Sequence, residues 1–445
     1  MTNAALLTDQ YELTMAASYH KHGMHGRATF DLFVRELPSD RNFLVAAGIE
    51  EALDHLEGLR FEDDDIAYLR TLGIFDEDFL EFLGELRFTG DVWSLPEGEI
   101  FFAKEPLLSV TAPLIEAQLV ETYLLNATTF PSSVASKAAR IQIAAEGRSF
   151  VDFSLRRDHG PEAGLIAARA AYIGGAAATS NVLAGKVYGL PLSGTMAHSY
   201  VMTFDSEMEA FRTFARDFPT RAVLLIDTYD VEEGARRAAR VAQELRTDGV
   251  GLAGVRIDSG DLGALTRTVR KILDDAACSD VPIFLSGDLD EFRIARLIEE
   301  GAPAEAFGVG TQLGTSADAP ALGGVYKLVA DDGGPKMKTS TGKASLPGRK
   351  QIFRCDEGGR YVEDILALAD ENPPHGRPLL QRLMSGGRRL RAAETLDRIR
   401  ARCSEGLRLL PDHLRELEGS RTGYPVTVSA ALGRLAQDAA TRTHE

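Results

Sequence analysis

The sequence predicts an α/β protein whose central part is a parallel sheet, arranged as a barrel rather than as an open sheet. Three observations predict it. From about Ser136, short β-rich runs alternate with amphipathic helical stretches. The unusual polar residues of that region fall at the C-terminal ends of the β runs. The first 135 or so residues lack this rhythm and mix short strands with helices, which sets them apart as an α+β region. A chain of 445 residues exceeds one ordinary core, so two domains, or one barrel with additions, are expected.

In chain order, TFDLFVREL (29–37) alternates apolar and polar residues and reads as a strand. FEDDDIAYLRTLG and DEDFLEFLGEL have helical spacing with acidic first turns. DVWSLPEGEIFFAKEPLLSV reads as strands joined by a Pro-Glu-Gly turn, and Pro113 opens a helix. The barrel strands are SFVDF (149–153), LPLSGT (190–195), AVLLIDT (222–228), GLAGVRID (251–258), VPIFLSGD (281–288) and EAFGVGT (305–311). VEEGARRAARVAQELRTDG and LGALTRTVRKILDDA are helices between them. After Leu328 the pattern changes to DDGGPKMKTSTGKASLPGRK, a loop region, and then to an arginine-rich stretch, RRLRAAETLDRIRARC, of open role.

Composition excludes several classes. Hydrophobic residues at 44% and charged residues at 26% describe a globular chain. A net charge of −17 repels phosphate backbones, so no nucleic-acid partner is expected, and an anionic substrate needs its own cluster of cations and N–H groups. Three widely spaced cysteines offer neither a disulfide framework nor a CxxC metal site and suit a reducing compartment. The N-terminus lacks the features of a signal peptide. No segment reaches ~18 uninterrupted apolar residues, so no membrane association is expected.

Candidate site residues follow from the strand ends, which converge on one face of an α/β barrel. Arg156 follows the first run, with Arg157 beside it, and such a pair suits a carboxylate or pyrophosphate. Thr195 and His198 follow the second. Asp227, Arg256 with Asp258, Asp288 and Thr311 end the others. The plain alternative for each Asp, Ser or Thr is a helix cap; six strand ends together exceed capping. In RIDSGDL, Asp258 and Asp261 suit a cis-diol or Mg²⁺, with Asp261 the better candidate for a cap. FGVGTQLGTS is glycine-rich and suits phosphate, although such loops are often only tight turns. Tyr11 offers an aromatic face to a flat ring, or a core contact.

Taken in order, LTDQY, DFSLRR, GTMAHS, RIDSGD, SGD and FGVGT resemble the nicotinate phosphoribosyltransferase family over roughly residues 6 to 330. The resemblance implies a type II phosphoribosyltransferase fold: an irregular α/β barrel beside an α+β domain built from N-terminal and C-terminal segments. The expected divisions are 1–135, 136–328 and 329–445, the last partly completing the first domain and the barrel edge. It implies formation of nicotinate mononucleotide from nicotinate and phosphoribosyl pyrophosphate, with Mg²⁺ and with ATP as co-substrate, in a cytoplasmic homodimer with shared active sites. Tyr11 would stack on the pyridine ring, with Phe153 lining the other side. Arg156, Thr195 and Arg256 would lie near the carboxylate and phosphates. Asp258, Asp288 and Gly287 would lie near the ribose, and Gly310 and Thr311 would hold the 5-phosphate. His198 matches the histidine that the family phosphorylates, and Arg35 would reach toward phosphates across the dimer.

Ser180 separates the nearest rival. Enzymes specific for nicotinamide place an aspartate there, and a carboxylate would repel nicotinate. A quinolinate-using enzyme is disfavoured by chain length and by the GTMAHS segment. A barrel that senses ligand without catalysis is disfavoured by intact His198, Asp258 and Asp288.

Overall fold

The computed structural model describes residues 4–340, 345–373 and 375–442. Part of the loop after Leu328, residues 341–344, lies outside the described residues. The chain forms two compact units, one from Met1–Ser136 with Ala319–Glu445 and one from Lys137–Asp318. Helix Glu121–Ala144 carries the chain from the first unit into the second and continues through Pro131, an internal proline.

The second unit is built on a six-stranded parallel sheet. Its strands are β1 (Ser149–Asp152), β2 (Ala178–Thr179), β3 (Val223–Leu225), β4 (Gly254–Ile257), β5 (Ile283–Leu285) and β6 (Ala306–Val309). Their spatial order is β2-β1-β6-β5-β4-β3. No pairing joins β2 to β3 among the described residues, so this is a half-barrel rather than a closed one. Phe150, Leu224, Leu225, Val255, Ile257, Ile283, Leu285, Phe307 and Val309 are all 0% exposed. Strands covered on both faces read as continuous apolar runs, which is why the sequence announced them without alternation.

One expected strand is corrected. The segment 190–195 forms no strand; it touches the sheet through a single bridge, Leu192 to Thr179. Pro191 has no N–H to give, so only its carbonyl bonds, to Thr179 N–H at 3.0 Å, and Ser193 N–H returns to the Thr179 carbonyl at 3.0 Å. The strand proper is the short β2 upstream, whose two residues carry no periodic signal.

The first unit holds a seven-stranded antiparallel sheet. Arg27–Val34, Pro106–Pro113 and Asp91–Ser94 form its middle, Gly324–Asp331 flanks one side and Gln381–Ser385 the other. N-terminal and C-terminal segments thus share one sheet. Strand Arg27–Val34 alternates in sequence but is buried on both faces, because its polar Asp31 is buried against Lys350, 2.8 Å away.

Two arginines of the C-terminal stretch are paired within the unit. Arg389 bonds Glu50 and Asp54, and Arg402 bonds Glu394 and the Glu97 carbonyl. Deeper, Arg354 is 0% exposed. Its guanidinium grips Asp364 at 2.9 and 2.6 Å and Glu99 at 2.8 Å. Beside them the Glu105 carboxyl is pushed well above the usual range, first by burial and then by Asp364. Removing one partner of a buried charge group leaves the others uncompensated. Arg354→Met is expected to destabilise the fold by about 3–5 kcal/mol in urea unfolding; a loss under about 1 kcal/mol would show that the carboxylates neutralise themselves by protonation.

Candidate active site

The turns after β3, β4 and β5 at the C-terminal edge of the parallel sheet each carry two aspartates, and the structure divides the work between them. The second of each pair caps the following helix: Asp230 accepts from Glu233 N–H, Asp261 from Ala264 N–H and Asp290 from Arg293 N–H. Their helices are Val231–Thr247, Leu262–Asp275 and Glu291–Glu299. The first of each pair, Asp227, Asp258 and Asp288, caps none of them. Capping therefore accounts for one aspartate per turn and leaves the other for the site.

Two of these remaining carboxylates, those of Asp227 and Asp258, tie neighbouring turns together. Asp227 Oδ2 accepts from Asp258 N–H at 3.0 Å and from the Ser259 hydroxyl at 2.7 Å. Asp227 Oδ1 is buried without a hydrogen-bond partner among the described residues. The Ser286 hydroxyl donates to Asp258 Oδ1, and Ser286 N–H to the Ile257 carbonyl at 2.9 Å. Gly287 passes so close that a Cβ there would stand 1.9 Å from the Asp258 carbonyl oxygen, and its φ of +99° suits glycine. Asp288 itself sits at φ +48°, exposed, with Arg293 bonding its carbonyl at 2.8 Å.

Arg256, on β4, donates to the Thr195 hydroxyl at 2.6 Å and to the Met196 carbonyl at 3.3 Å. Its Nε is buried and has no partner among the described residues. Burial lowers its pKa, and the neighbouring charge of Arg156 lowers it further, against the pull of Asp258 and Asp227. Two cations near one another in a partly desolvated place are stabilised by an anion between them. His198 begins the short helix His198–Met202, and its Nδ1 lies 3.1 Å from the Thr228 hydroxyl, one residue past Asp227.

At the other side of the sheet, Phe153 N–H bonds the Val309 carbonyl at 2.8 Å. Its ring lies against Gly308, where a Cβ would come within 2.6 Å of it. Asp152 is buried and its carboxyl is raised by burial, although it accepts from Ser154 N–H and from the Thr179 hydroxyl. Ser180, half-buried, follows β2 and its N–H bonds the Asp152 carbonyl at 2.9 Å. Gly310 and Thr311 lie at the end of β6, Thr311 exposed. Arg156 is exposed in the turn Leu155–Arg157. The second unit thus carries, among the residues singled out for the site, Phe153, Arg156, Ser180, Thr195, His198, Arg256, Asp258, Gly287, Asp288, Gly310 and Thr311. Tyr11 and Arg35 belong to the first unit. Tyr11 is 46% exposed, and its hydroxyl is raised by burial and by Glu121.

Asp152, Thr179, Ser286 and Asp158 join these contacts without a local signal that singles them out, and the spacing of Ser286 from Asp258 along the chain carries no sign of their hydrogen bond. Among the described residues no group of three or more His, Cys, Asp or Glu is arranged to hold a metal ion, and no helix is long and apolar enough to cross a membrane.

A parallel α/β sheet whose C-terminal edge gathers carboxylates not used as helix caps, a half-buried arginine and glycine-rich turns has the build of an enzyme acting on a small, charged substrate. Similarity to known proteins makes this specific. A family model described as the nicotinate phosphoribosyltransferase N-terminal domain matches residues 6–129, and one described as the nicotinate phosphoribosyltransferase family matches residues 148–330. A nicotinate phosphoribosyltransferase of Mycobacterium tuberculosis is 48% identical over 437 residues, covering 97% of this chain and 93% of that protein. One from Bacillus subtilis is 43% identical, covering 82% and 76% respectively. The crystal structure of human nicotinic acid phosphoribosyltransferase superposes with a TM-score of 0.87 at 31% identity, covering 97% of this chain and 99% of that one. The chain belongs to the nicotinate phosphoribosyltransferase family.

Asp158, in the turn after Phe153, is pushed up to about 6 by burial and then by Asp152. A carboxyl whose folded pKa exceeds its unfolded value stabilises the fold fully below the unfolded pKa, and that contribution is lost as pH rises through about 6. Asn cannot titrate and still accepts the 3.1 Å hydrogen bond from Ser154. The Tm of Asp158→Asn should therefore gain on wild type as pH rises from about 4 to about 7; a constant difference across that range would contradict the assignment.

Proposed function

We propose that this protein is a nicotinate phosphoribosyltransferase that forms nicotinate mononucleotide and pyrophosphate from nicotinate and 5-phosphoribosyl 1-pyrophosphate, coupled to ATP hydrolysis through phosphorylated His198, in NAD biosynthesis by salvage. Its supporting observation is the pair Asp227 and Asp258, free of capping duty and held beside Arg256, in a chain of this family. The pyridine nitrogen attacks the anomeric carbon while the bond to pyrophosphate breaks and its electron pair leaves with that group. Positive charge builds on the ribose ring, and Asp258 and Asp288, with the backbone of Gly287, stand ready to stabilise it. Arg256, Arg156 and Thr195 serve the carboxylate and phosphates; the unpartnered Arg256 Nε is the donor that an anion would satisfy. Gly310 and Thr311 hold the 5-phosphate.

Phe153 lines the pyridine pocket, and Tyr11, contributed by a second copy in a homodimer, stacks on the other face. Its exposure agrees with a role outside its own unit's core. Mg²⁺ fits this edge: a magnesium ion needs only one or two carboxylates besides substrate phosphates, and Asp227 Oδ1 and Asp258 offer them. When bound, it neutralises charge on the departing pyrophosphate. The three cysteines are free, in keeping with a reducing cytoplasm.

Three substitutions test these roles. Asp258→Asn should cut turnover at least ~100-fold with the fold intact, because one well-placed electrostatic contact commonly carries that much; near-normal kcat would reduce Asp258 to a turn residue. Ser180→Asp should weaken use of nicotinate through like-charge repulsion, measured as a raised KM, and unchanged kinetics would remove Ser180 from the ring pocket. His198→Ala should abolish ATP hydrolysis and acid-labile labelling from γ-labelled ATP while leaving slow ATP-independent synthesis. Equal labelling of the folded variant would move the phosphoacceptor elsewhere.

A further inference from the structure

Behind the candidate site lies a cluster of buried charges that no step of the reaction uses. Lys137, on helix Glu121–Ala144, has a side chain 2% exposed, with Nζ 2.6 Å from Glu291 and 2.9 Å from Asp318. Arg140, one turn further, holds the other Glu291 oxygen at 2.9 Å and lies over the Phe292 ring. The Glu291 side chain is 0% exposed and that of Asp318 is 14% exposed.

The positions of the two carboxylates matter more than their number. Glu291 opens the helix that follows the turn of Gly287 and Asp288. Asp318 follows the helix Thr311–Gly314, which begins at the glycine-rich end of β6. One ammonium group thus fastens the segment carrying the ribose candidates to the segment carrying the phosphate candidates. Burying such a group is a poor route to stability, since apolar replacements of similar volume often do as well or better. Its distinctive product is geometric: beyond the pairing of the short strands β5 and β6, it adds a second tie that fixes the spacing between the two loops.

We propose that Lys137 is a positioning residue for phosphoribosyl pyrophosphate, holding the Gly287–Asp288 turn and the Gly310–Thr311 turn at the separation that one ribose 5-phosphate spans. This rests on the functional reading above, in which those turns meet the ribose and its phosphate. Lys137 touches no substrate. It acts through Glu291 on one loop and through Asp318 on the other, and Arg140 keeps Glu291 compensated when Lys137 is replaced.

Steady-state kinetics of the purified full chain test it, with Lys137→Met and the milder Asp318→Asn compared with wild type. Both variants should raise KM for phosphoribosyl pyrophosphate roughly tenfold or more, since displacements near 1 Å at a reacting centre have effects of this size or larger. KM for nicotinate should move less than about twofold, because neither loop is assigned to the pyridine ring. The double variant should be no worse than Lys137→Met, since both changes open one latch. A merely structural role lowers Tm without splitting the two KM values. Folded variants whose two KM values stay at wild type, or rise together, overturn the inference while leaving the functional reading intact. If Lys137→Met does not fold, Asp318→Asn decides by the same criterion. A wild-type protein that forms no nicotinate mononucleotide overturns the functional reading and this inference with it.

Discussion

The Asp227 carboxylate is the contact on which the rest of the site depends. One of its oxygens receives both the Asp258 N–H and the Ser259 hydroxyl, so the turn after β4 is held by the turn after β3. Asp258 is then oriented from the opposite side by the Ser286 hydroxyl at the end of β5. Hydrogen bonds to an ionised acceptor are stronger and more directional than neutral ones. Three successive strand ends are thereby fixed without any of their helices losing a cap, because Asp230, Asp261 and Asp290 perform that service separately.

Close approach is the second constraint. Gly287 lies under the Asp258 carbonyl, and Gly308 gives the Phe153 ring a bare stretch of backbone to rest on. Glycine inside an ordered turn carries an entropic cost. Here it admits contacts that a methyl group would prevent. The same edge leaves the half-buried Arg256 with a donor unused and a second cation, Arg156, nearby. An edge with an unused guanidinium donor and carboxylates close by suits a substrate that carries phosphate groups and develops positive charge on its sugar.

Much of this was legible in the sequence because buried parallel strands write themselves as uninterrupted apolar runs. The runs at 222–228, 251–258, 281–288 and 305–311 contain observed strands, and each run ends at a site candidate. The failure at 190–195 has a physical cause: an apolar run beginning with Leu-Pro looks like a strand but lacks the donors for a ladder, while Ala178–Thr179 is too short to show a period. The sequence favoured Asp261 over Asp258 as the helix cap, and the hydrogen bonds have that arrangement, with Asp261 accepting from Ala264 N–H. Contacts between distant segments left no mark in the sequence. Nothing in it linked Lys137 to Glu291 and Asp318, or Arg354 to Glu99 and Asp364, since a buried ion pair depends on tertiary placement rather than on local pattern. The role of the arginine-rich stretch near the C-terminus was open in the sequence; Arg389 and Arg402 within it pair with carboxylates of their own unit.

The central claim is that this edge joins an acidic pyridine to a phosphorylated ribose. It is tested most directly by incubating the purified protein with phosphoribosyl pyrophosphate, Mg²⁺ and either nicotinate or nicotinamide, with and without ATP, and quantifying mononucleotide. The account predicts nicotinate mononucleotide in both conditions, faster with ATP, and little product from nicotinamide. Equal use of nicotinamide, or no mononucleotide from either ring, would contradict it.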